Sequence, residues 1–384
     1  MSDRVLSGRF LRITLVNFFF FLSFTAYFLL PLHLRELGAG EAVIGAVMGT
    51  AGLASIVALP IVGMTIDRWG RRAFLIGGIL GFALCSFGFQ LIDALGGPMY
   101  ALRVLQGFSF SAGFTATTTL AAEFAPPRRR AQALGLFGAS TMITNAVAAG
   151  IGEELVRRYG FSALFAGSAF TALLSVALAI PLRDENVASR RTATAAERRL
   201  HTAHWVLAVV MALLGLGFGA VVTFMPTFIT GEAFGRIGLF SAAFAGSAVL
   251  SRLIGAGISD AFGRLTVVVP ALVVLAAAIF CFGSVGGMPS LLAAAAVFGL
   301  AQGITYPTLH ALVVDLAGEA QLGRSQALFN GAFNLGIAAS AFLFGFVAEA
   351  LGYRPMFRMA AFMPLLAIPL LALGTWRVPS AAKS

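Results

Sequence analysis

Apolar runs of about 20 residues, each interrupted by only a few polar positions, recur from one end of the chain to the other. A helix needs about that length to cross the hydrocarbon core of a bilayer. The runs fall at 12–32, 42–64, 73–93, 98–121, 132–154 and 160–182, and again at 205–229, 235–258, 265–284, 290–313, 326–350 and 356–376. The pattern predicts twelve membrane-spanning helices in two sets of six. The first run, ITLVNFFFFLSFTAYFLLPL, is long enough to span and is followed by no small-residue cleavage site, so it reads as span one rather than a removed signal. Between the sets lies RDENVASRRTATAAERRLH, polar and too long for a tight turn. The expected organisation is an all-α membrane protein with a six-helix bundle over 1–182, a linker over 183–203 and a second bundle over 204–384.

Composition supports this picture. The 384 residues are 59% hydrophobic and 11% charged, about half the charged fraction of a soluble domain. The net charge of +10 is spread over short loops, with no aromatic-studded basic domain to hold a nucleic acid. Membrane topology accounts for it. Of the 26 Lys and Arg, eighteen fall in the terminal, even-numbered and linker segments, six in the alternate segments, and Arg103 and Arg252 inside spans. The positive-inside rule then puts both termini in the cytoplasm, which an even number of spans requires. Cys85 and Cys281 both lie in apolar runs, with no Cys-x-x-Cys or Cys/His cluster, so they are expected as small packing residues and no metal is implied.

The two sets repeat each other. YGFSALF (159–165) matches LGYRPMF (351–357) at a shift of 192, as do Gly107 with Gly299 and Glu123 with Asp315. Asp67 matches Asp260 at 193, and AQALGLF (131–137) resembles SQALFNG (325–331) at 194. A shift held near half the length points to two similar bundles side by side. Internal repeats of this kind mark secondary transporters, whose solute site lies between the repeats.

The stretch GMTIDRWGRR (63–72) after span two gathers charge between two apolar runs. Gly63 is expected to let span two approach a neighbour closely. Asp67 sits where helix ends expose amides that attract a carboxylate, and Arg68, Arg71 and Arg72 are within reach of acids nearby, Glu123 first among them. This loop resembles the signature of the major facilitator superfamily, Gly-x-x-x-Asp-Arg-x-Gly-Arg-Arg, filled here by Gly63, Asp67, Arg68, Gly70, Arg71 and Arg72. A degenerate copy after span eight retains Asp260, Gly263 and Arg264, and a second pattern of the family, Arg-x-x-Gln-Gly on span four, is filled by Arg103, Gln106 and Gly107. The resemblance covers nearly the whole chain. It implies the major facilitator fold, transport by alternating access, and a gating role for the loop residues, whose ion pairs would lock the cytoplasmic gate in the outward-open state.

Charges inside the hydrocarbon are costly and mark function by default. Arg103, about one turn inside the outer end of span four, is a candidate for binding an anionic group or coupling to protons. Arg252, in SRLIGAG, either faces the cavity or pairs with Asp260 two turns on. All 16 acids fall at loops or span ends; the deepest, Glu153 and Glu154, serve either as a titrating pair or as partners of Arg157 and Arg158. On span ten, Gln302, Tyr306 and His310 form a polar stripe at helical spacing, where a histidine titrates near neutral pH. Asn17 and Tyr27 on span one, Asn145 on span five, and Asn330 and Asn334 on span eleven either line a cavity or join helices. Among the 36 phenylalanines, those lining a cavity would favour an amphipathic solute.

The expected function is proton-coupled efflux of a small amphipathic compound across the inner membrane, with uptake of a polar or anionic metabolite as the alternative and a non-transporting membrane protein as a remote third. No His-Glu-x-x-His, no nucleophilic serine setting and no P-loop is present, so neither an enzyme nor an ATP-driven pump is expected. The resemblance to the efflux branch is incomplete: ITNAVAAGIGEEL in span five lacks the Gly-Pro of that branch's antiporters. No cofactor or metal is called for; the partners are a small solute, protons and the bilayer, with no nucleic acid, and the chain is read as a monomer.

Overall fold

The computed structural model describes residues 7–126, 129–183, 202–255, 258–317 and 322–375, and these are helical almost throughout. The first half contains α1 (Gly8–Thr25), continued through a 3₁₀ turn at Ala26–Leu29 into α2 (Leu30–Glu36), then α3 (Glu41–Trp69), α4 (Arg71–Phe89), α5 (Gly97–Phe124) and the long α6 (Arg130–Ala179). The second contains α7 (Thr202–Gly231), α8 (Ile237–Gly255), α9 (Ile258–Phe262), α10 (Arg264–Phe282), α11 (Met288–Leu316), α12 (Leu322–Leu351), α13 (Tyr353–Ala360) and α14 (Phe362–Thr375). Residues 184–201 of the expected linker lie outside the described residues.

Among the described residues, nine stretches are long and apolar enough to cross a membrane. The other three of the twelve passes are α5, the first part of α6, and α8. Span α5 carries the serine- and threonine-rich SFSAGFTATTT, whose Ser109, Ser111 and Thr117 are buried against other helices rather than turned to lipid.

Four of the six described glycines with positive φ join helices by a single residue: Gly70 (+84°), Gly160 (+78°), Gly263 (+88°) and Gly352 (+83°). Gly70 joins α3 to α4, Gly263 joins α9 to α10, and Gly352 joins α12 to α13. Gly160 breaks α6 into the fifth and sixth passes. Each turn reverses direction with a single residue outside helical geometry, in a region that L side chains rarely adopt. Gly70 and Gly263 are 193 apart, and Gly160 and Gly352 are 192 apart, so the sequence repeat is also a backbone repeat. This gives the glycine of the loop motif a conformational reason that spacing alone did not supply.

Within the first half α1 packs on α6, α3 on α5, and α4 on both α5 and α6. Within the second, α7 packs on α12 and α14, α8 on α11, and α10 on α11. The halves meet along two seams, α3 against α12 and α6 against α8. Small residues permit the first. A Cβ on Gly45 would collide with the Ala341 carbonyl, on Gly49 with the Phe342 ring, and on Gly52 with Ala338. Gly63 has nothing within 4 Å of such a Cβ, which corrects the expectation that it is the residue of close approach on span two; that part is taken by the three glycines nearer the start of α3.

Polar side chains join helices inside the first half. Asn17 is fully buried on α1 and donates to Ser140 Oγ (3.2 Å) and Thr141 Oγ1 (2.8 Å) of α6. Tyr27 donates to Ser86 Oγ (2.9 Å), and Ser86 and Ser23 both bond Ser168 Oγ at 3.0 and 2.8 Å. Cys85 is buried, as expected of a small packing residue, whereas Cys281 is exposed on α10.

Candidate functional site

The ends of the molecule differ in how the halves are joined. At the arginine-rich end, Arg71 of α4 pairs with Glu123 of α5, and Arg72 donates to the Ile180 carbonyl (2.7 Å) at the end of α6. The second half repeats this. Arg264 of α10 donates to Asp315 Oδ2 of α11 at 3.0 Å and to Ser259 Oγ at 2.8 Å. Both ion pairs tie neighbouring helices of one half, so each brace moves with its own half. The side chains of Asp67, Arg68 and Asp260 lie outside the described residues.

Among the described residues, the bonds that cross between the halves lie at the arginine-poor end. Arg35, at the end of α2, donates to the Thr227 carbonyl of α7 at 2.8 Å and to the Tyr353 hydroxyl of α13, while pairing with Glu41 of its own half. Glu349 of α12 accepts from the backbone N–H of Ala42 at 2.8 Å. Glu153 of α6 accepts from two backbone N–H groups at the start of α8, Ile237 at 3.0 Å and Gly238 at 2.8 Å. A carboxylate there satisfies amides that have no partner within their own helix and meets the positive end of the helix dipole. Beside this contact a polar pocket of about 460 Å³ is lined by Glu153, Glu154, Arg157, Arg158 and Arg236.

These contacts separate two neighbours that the sequence treats as a pair. Glu154 bonds Arg157 (3.0 and 2.5 Å) and Arg158 on its own helix, while Glu153 reaches across the seam. Successive helical residues point about 100° apart, so one faces solvent and the other faces α8. Arg35, Glu41, Glu349 and Tyr353 were not singled out by sequence reasoning, which assigned Arg35 to topology alone. The available signal was the scarcity of arginine at this end.

Between the ends, the two intramembrane arginines differ. Arg103 is buried, and its three guanidinium nitrogens donate to the Val47 carbonyl (3.0 Å), the Met48 carbonyl (3.0 Å) and the Gln106 side chain. Arg103 and Gln106 thus hold α5 to α3, and little of that guanidinium is left for a solute. We expect Arg103→Met to lower stability by about 2–4 kcal/mol, because three bonds to a charged group are lost, with solute affinity in the surviving folded protein unchanged; a melting curve beside a binding isotherm checks this.

Arg252 of α8 makes neither a hydrogen bond nor an ion pair with any described residue, and its Nε is buried. It lies in α8 where that helix packs on α11, the helix that carries Tyr306. Tyr306 donates to Asn330 Oδ1 of α12 at 2.6 Å and packs on Phe329 and Phe333. His310, one turn further along α11, lies half-buried with its ring 5.5 Å from that of Phe329. Asn334 is exposed, and the side chain of Asn145 lies outside the described residues.

Phenylalanines flank these polar groups in both halves. Phe24, Phe110 and Phe114 stack in series on α1 and α5, with ring centroids 4.2 and 5.5 Å apart and none of the three fully buried. In the second half Phe218, Phe244, Phe298 and Phe333 form a matching cluster.

This architecture recurs in known proteins. The staphylopine export protein of Staphylococcus aureus is 26% identical over 375 residues, covering 91% of each chain. The 4-hydroxybenzoate transporter PcaK of Pseudomonas putida is 29% identical over 161 residues, 41% of this chain and 35% of that one. The crystal structure of a bacterial homologue of the human lysosomal transporter Spinster, in an inward-facing and occupied conformation, superposes with a TM-score of 0.83 at 13% identity over 98% of both chains. The profile of the Major Facilitator Superfamily matches residues 13–236 and 207–384. Twelve helical passes in two repeated halves, the loop motif after the second pass and this match together make the chain a member of the Major Facilitator Superfamily of membrane transporters, not an enzyme.

Proposed function

We propose that the chain exports a small amphipathic solute across the inner membrane by proton-coupled alternating access, as a monomer with both termini and the arginine-rich end in the cytoplasm. The moving units are the bundles 1–182 and 204–384, joined by the linker at 183–203. The observation that carries this reading is the placement of the cross-half bonds. Among the described residues, Arg35, Glu153 and Glu349 tie the halves at one end, while the Arg71–Glu123 and Arg264–Asp315 pairs at the other end lie within each half. A seam latched at one rim is what a rocking carrier needs, because breaking a few polar contacts there frees the halves without disturbing either core. The stacked phenylalanines of both halves supply an apolar wall. The likeness to a staphylopine exporter along nearly the whole chain supports the outward direction.

His310 is the candidate for proton coupling. It is the titratable side chain of the polar stripe on α11, and both deep carboxylates, Glu153 and Glu154, are engaged at the arginine-poor end. In proteoliposomes, His310→Gln is expected to abolish solute movement driven by a pH gradient while leaving counterflow exchange intact. Equal loss of both would assign His310 to packing, and pH-independent flux in the wild type would remove proton coupling. The second reading, uptake of an anionic metabolite, draws on the unpaired Arg252 and on the likeness to PcaK. Net flux in right-side-out against inverted vesicles separates the two directions.

A further inference from the structure

Arg252 carries a positive charge inside the membrane span with no counter-charge among the described residues, and this determines what the solute must bring. Arginine does not lose its proton in proteins, so the group cannot escape the cost of burial by neutralising. That cost is several kcal/mol for a charge at membrane depth. Arg103 recovers it through three hydrogen bonds; Arg252 has none, and its Nε is buried.

The surroundings are built rather than incidental. Gly299 and Gly303 let α11 lie directly against α8: a Cβ on Gly303 would collide with Ser251 Oγ and the Ala248 carbonyl, and on Gly299 with Ser247 Oγ and the Phe244 carbonyl. That contact sets Arg252 beside Tyr306. Asn330 accepts the Tyr306 proton at its Oδ1, which leaves its NH₂ to donate. Gln302, one turn before Tyr306 on α11, is more than nine-tenths buried, and its Oε1 has no partner among the described residues. One cation therefore lies at the α8–α11 contact beside Tyr306, whose ring packs on Phe329 and Phe333.

We propose that Arg252, with Tyr306 and Asn330, is the anion subsite of the carrier, and that the transported solute is an amphipathic organic monoanion bearing a carboxylate or sulfonate on an aromatic or apolar body. This rests on the carrier reading above and names its substrate class. The planar guanidinium fork matches two anionic oxygens in one plane. A single cation neutralises a single charge, and the neighbouring rings desolvate the rest, so dianionic phosphates and nucleotides are excluded. The site also accounts for keeping an arginine that destabilises the empty protein: a buried charge with no partner is a burden that a bound anion relieves.

The test uses the purified full chain and three probes of one shape: 2-naphthoate, its neutral amide, and 2-naphthylmethylammonium. Naphthoate is expected to bind about tenfold or more tightly than the other two. Arg252→Met is expected to remove that advantage, and Arg252→Lys, which keeps the charge but not the fork, to retain part of it. Wild-type helical circular dichroism and a single size-exclusion peak at the wild-type position show that both variants fold. Without ligand, Arg252→Met should melt at or above the wild-type temperature. Equal binding of naphthoate and amide by the wild type, or undiminished naphthoate binding by Arg252→Met, would overturn the subsite. A lowered melting temperature with all binding lost would make Arg252 structural and overturn it too. The carrier reading fails separately: in proteoliposomes it falls if none of the three probes is moved, and it stands if the amide or the ammonium is moved regardless of Arg252.

Discussion

Replacing Glu153 by Ala shifts the balance between the two conformations by about a hundredfold toward the one in which the arginine-poor end is open. Its carboxylate holds two backbone N–H groups at the start of α8 from the opposite half. Bonds to a charged group contribute about 1.5–3 kcal/mol each, and at a partly exposed helix terminus the lower figure applies. Two together are worth about 3 kcal/mol, and each 1.4 kcal/mol is a factor of ten. Glu153→Gln, whose amide oxygen replaces one acceptor without charge, lies between. Glu154→Gln is the control on the same helix. That residue pairs with exposed Arg157 and Arg158, and surface ion pairs of this kind are worth about 0–1 kcal/mol. The distance between spin labels at Leu91 and Leu351, both exposed at that end, reports the shift; a Glu153→Ala distance equal to that of Glu154→Gln would show that the contact latches nothing.

The second large effect separates two glycine contacts that look alike in sequence. A Cβ on Gly336 of α12 would strike the Ala212 carbonyl of α7, inside the second half, whereas one on Gly45 of α3 would strike the Ala341 carbonyl of α12, across the seam. Overpacking costs about 1–3 kcal/mol, and more against backbone. For Gly336→Val that cost falls on the fold of the half, so expression and melting temperature drop. For Gly45→Val the halves part instead. The protein keeps a melting temperature near that of the wild type but is held with the arginine-poor end open, and transport is lost. If both variants unfold alike, the α3–α12 contact is part of a core and not a moving seam.

Much of this architecture was legible beforehand, and the failures are instructive. The passes and the repeat were readable because hydrocarbon thickness imposes a length on each span and duplication leaves a constant offset. Span five and span six were separable in sequence because Gly160, where the backbone leaves helical geometry, and its flanking Arg157, Arg158 and Tyr159 interrupt the apolar run. Individual side chains were another matter. Arg103 and Arg252 are equivalent in a hydropathy profile, and what separates them is whether the carbonyls of Val47 and Met48 come within reach. That depends on how closely α3 and α5 pack. Asn17 reads as a cavity candidate until Ser140 and Thr141 are found opposite it. Gly63 drew notice by belonging to a motif, yet the glycines that set a seam are Gly45, Gly49 and Gly52, which belong to none. The cross-half bonds were invisible for the same reason: each joins residues far apart in the chain, and three of them use a backbone N–H that every residue but proline possesses.

The central claim is that the two halves rock as units, parting at one rim as they meet at the other. Spin labels at Trp69 and Phe262, both exposed at the arginine-rich end, and in a second sample at Leu91 and Leu351, exposed at the opposite end, measure it directly. With Glu153→Ala introduced into each sample, the distance between Leu91 and Leu351 should lengthen while that between Trp69 and Phe262 shortens. Both distances changing in the same direction, or only the pair nearest the substitution responding, would contradict it.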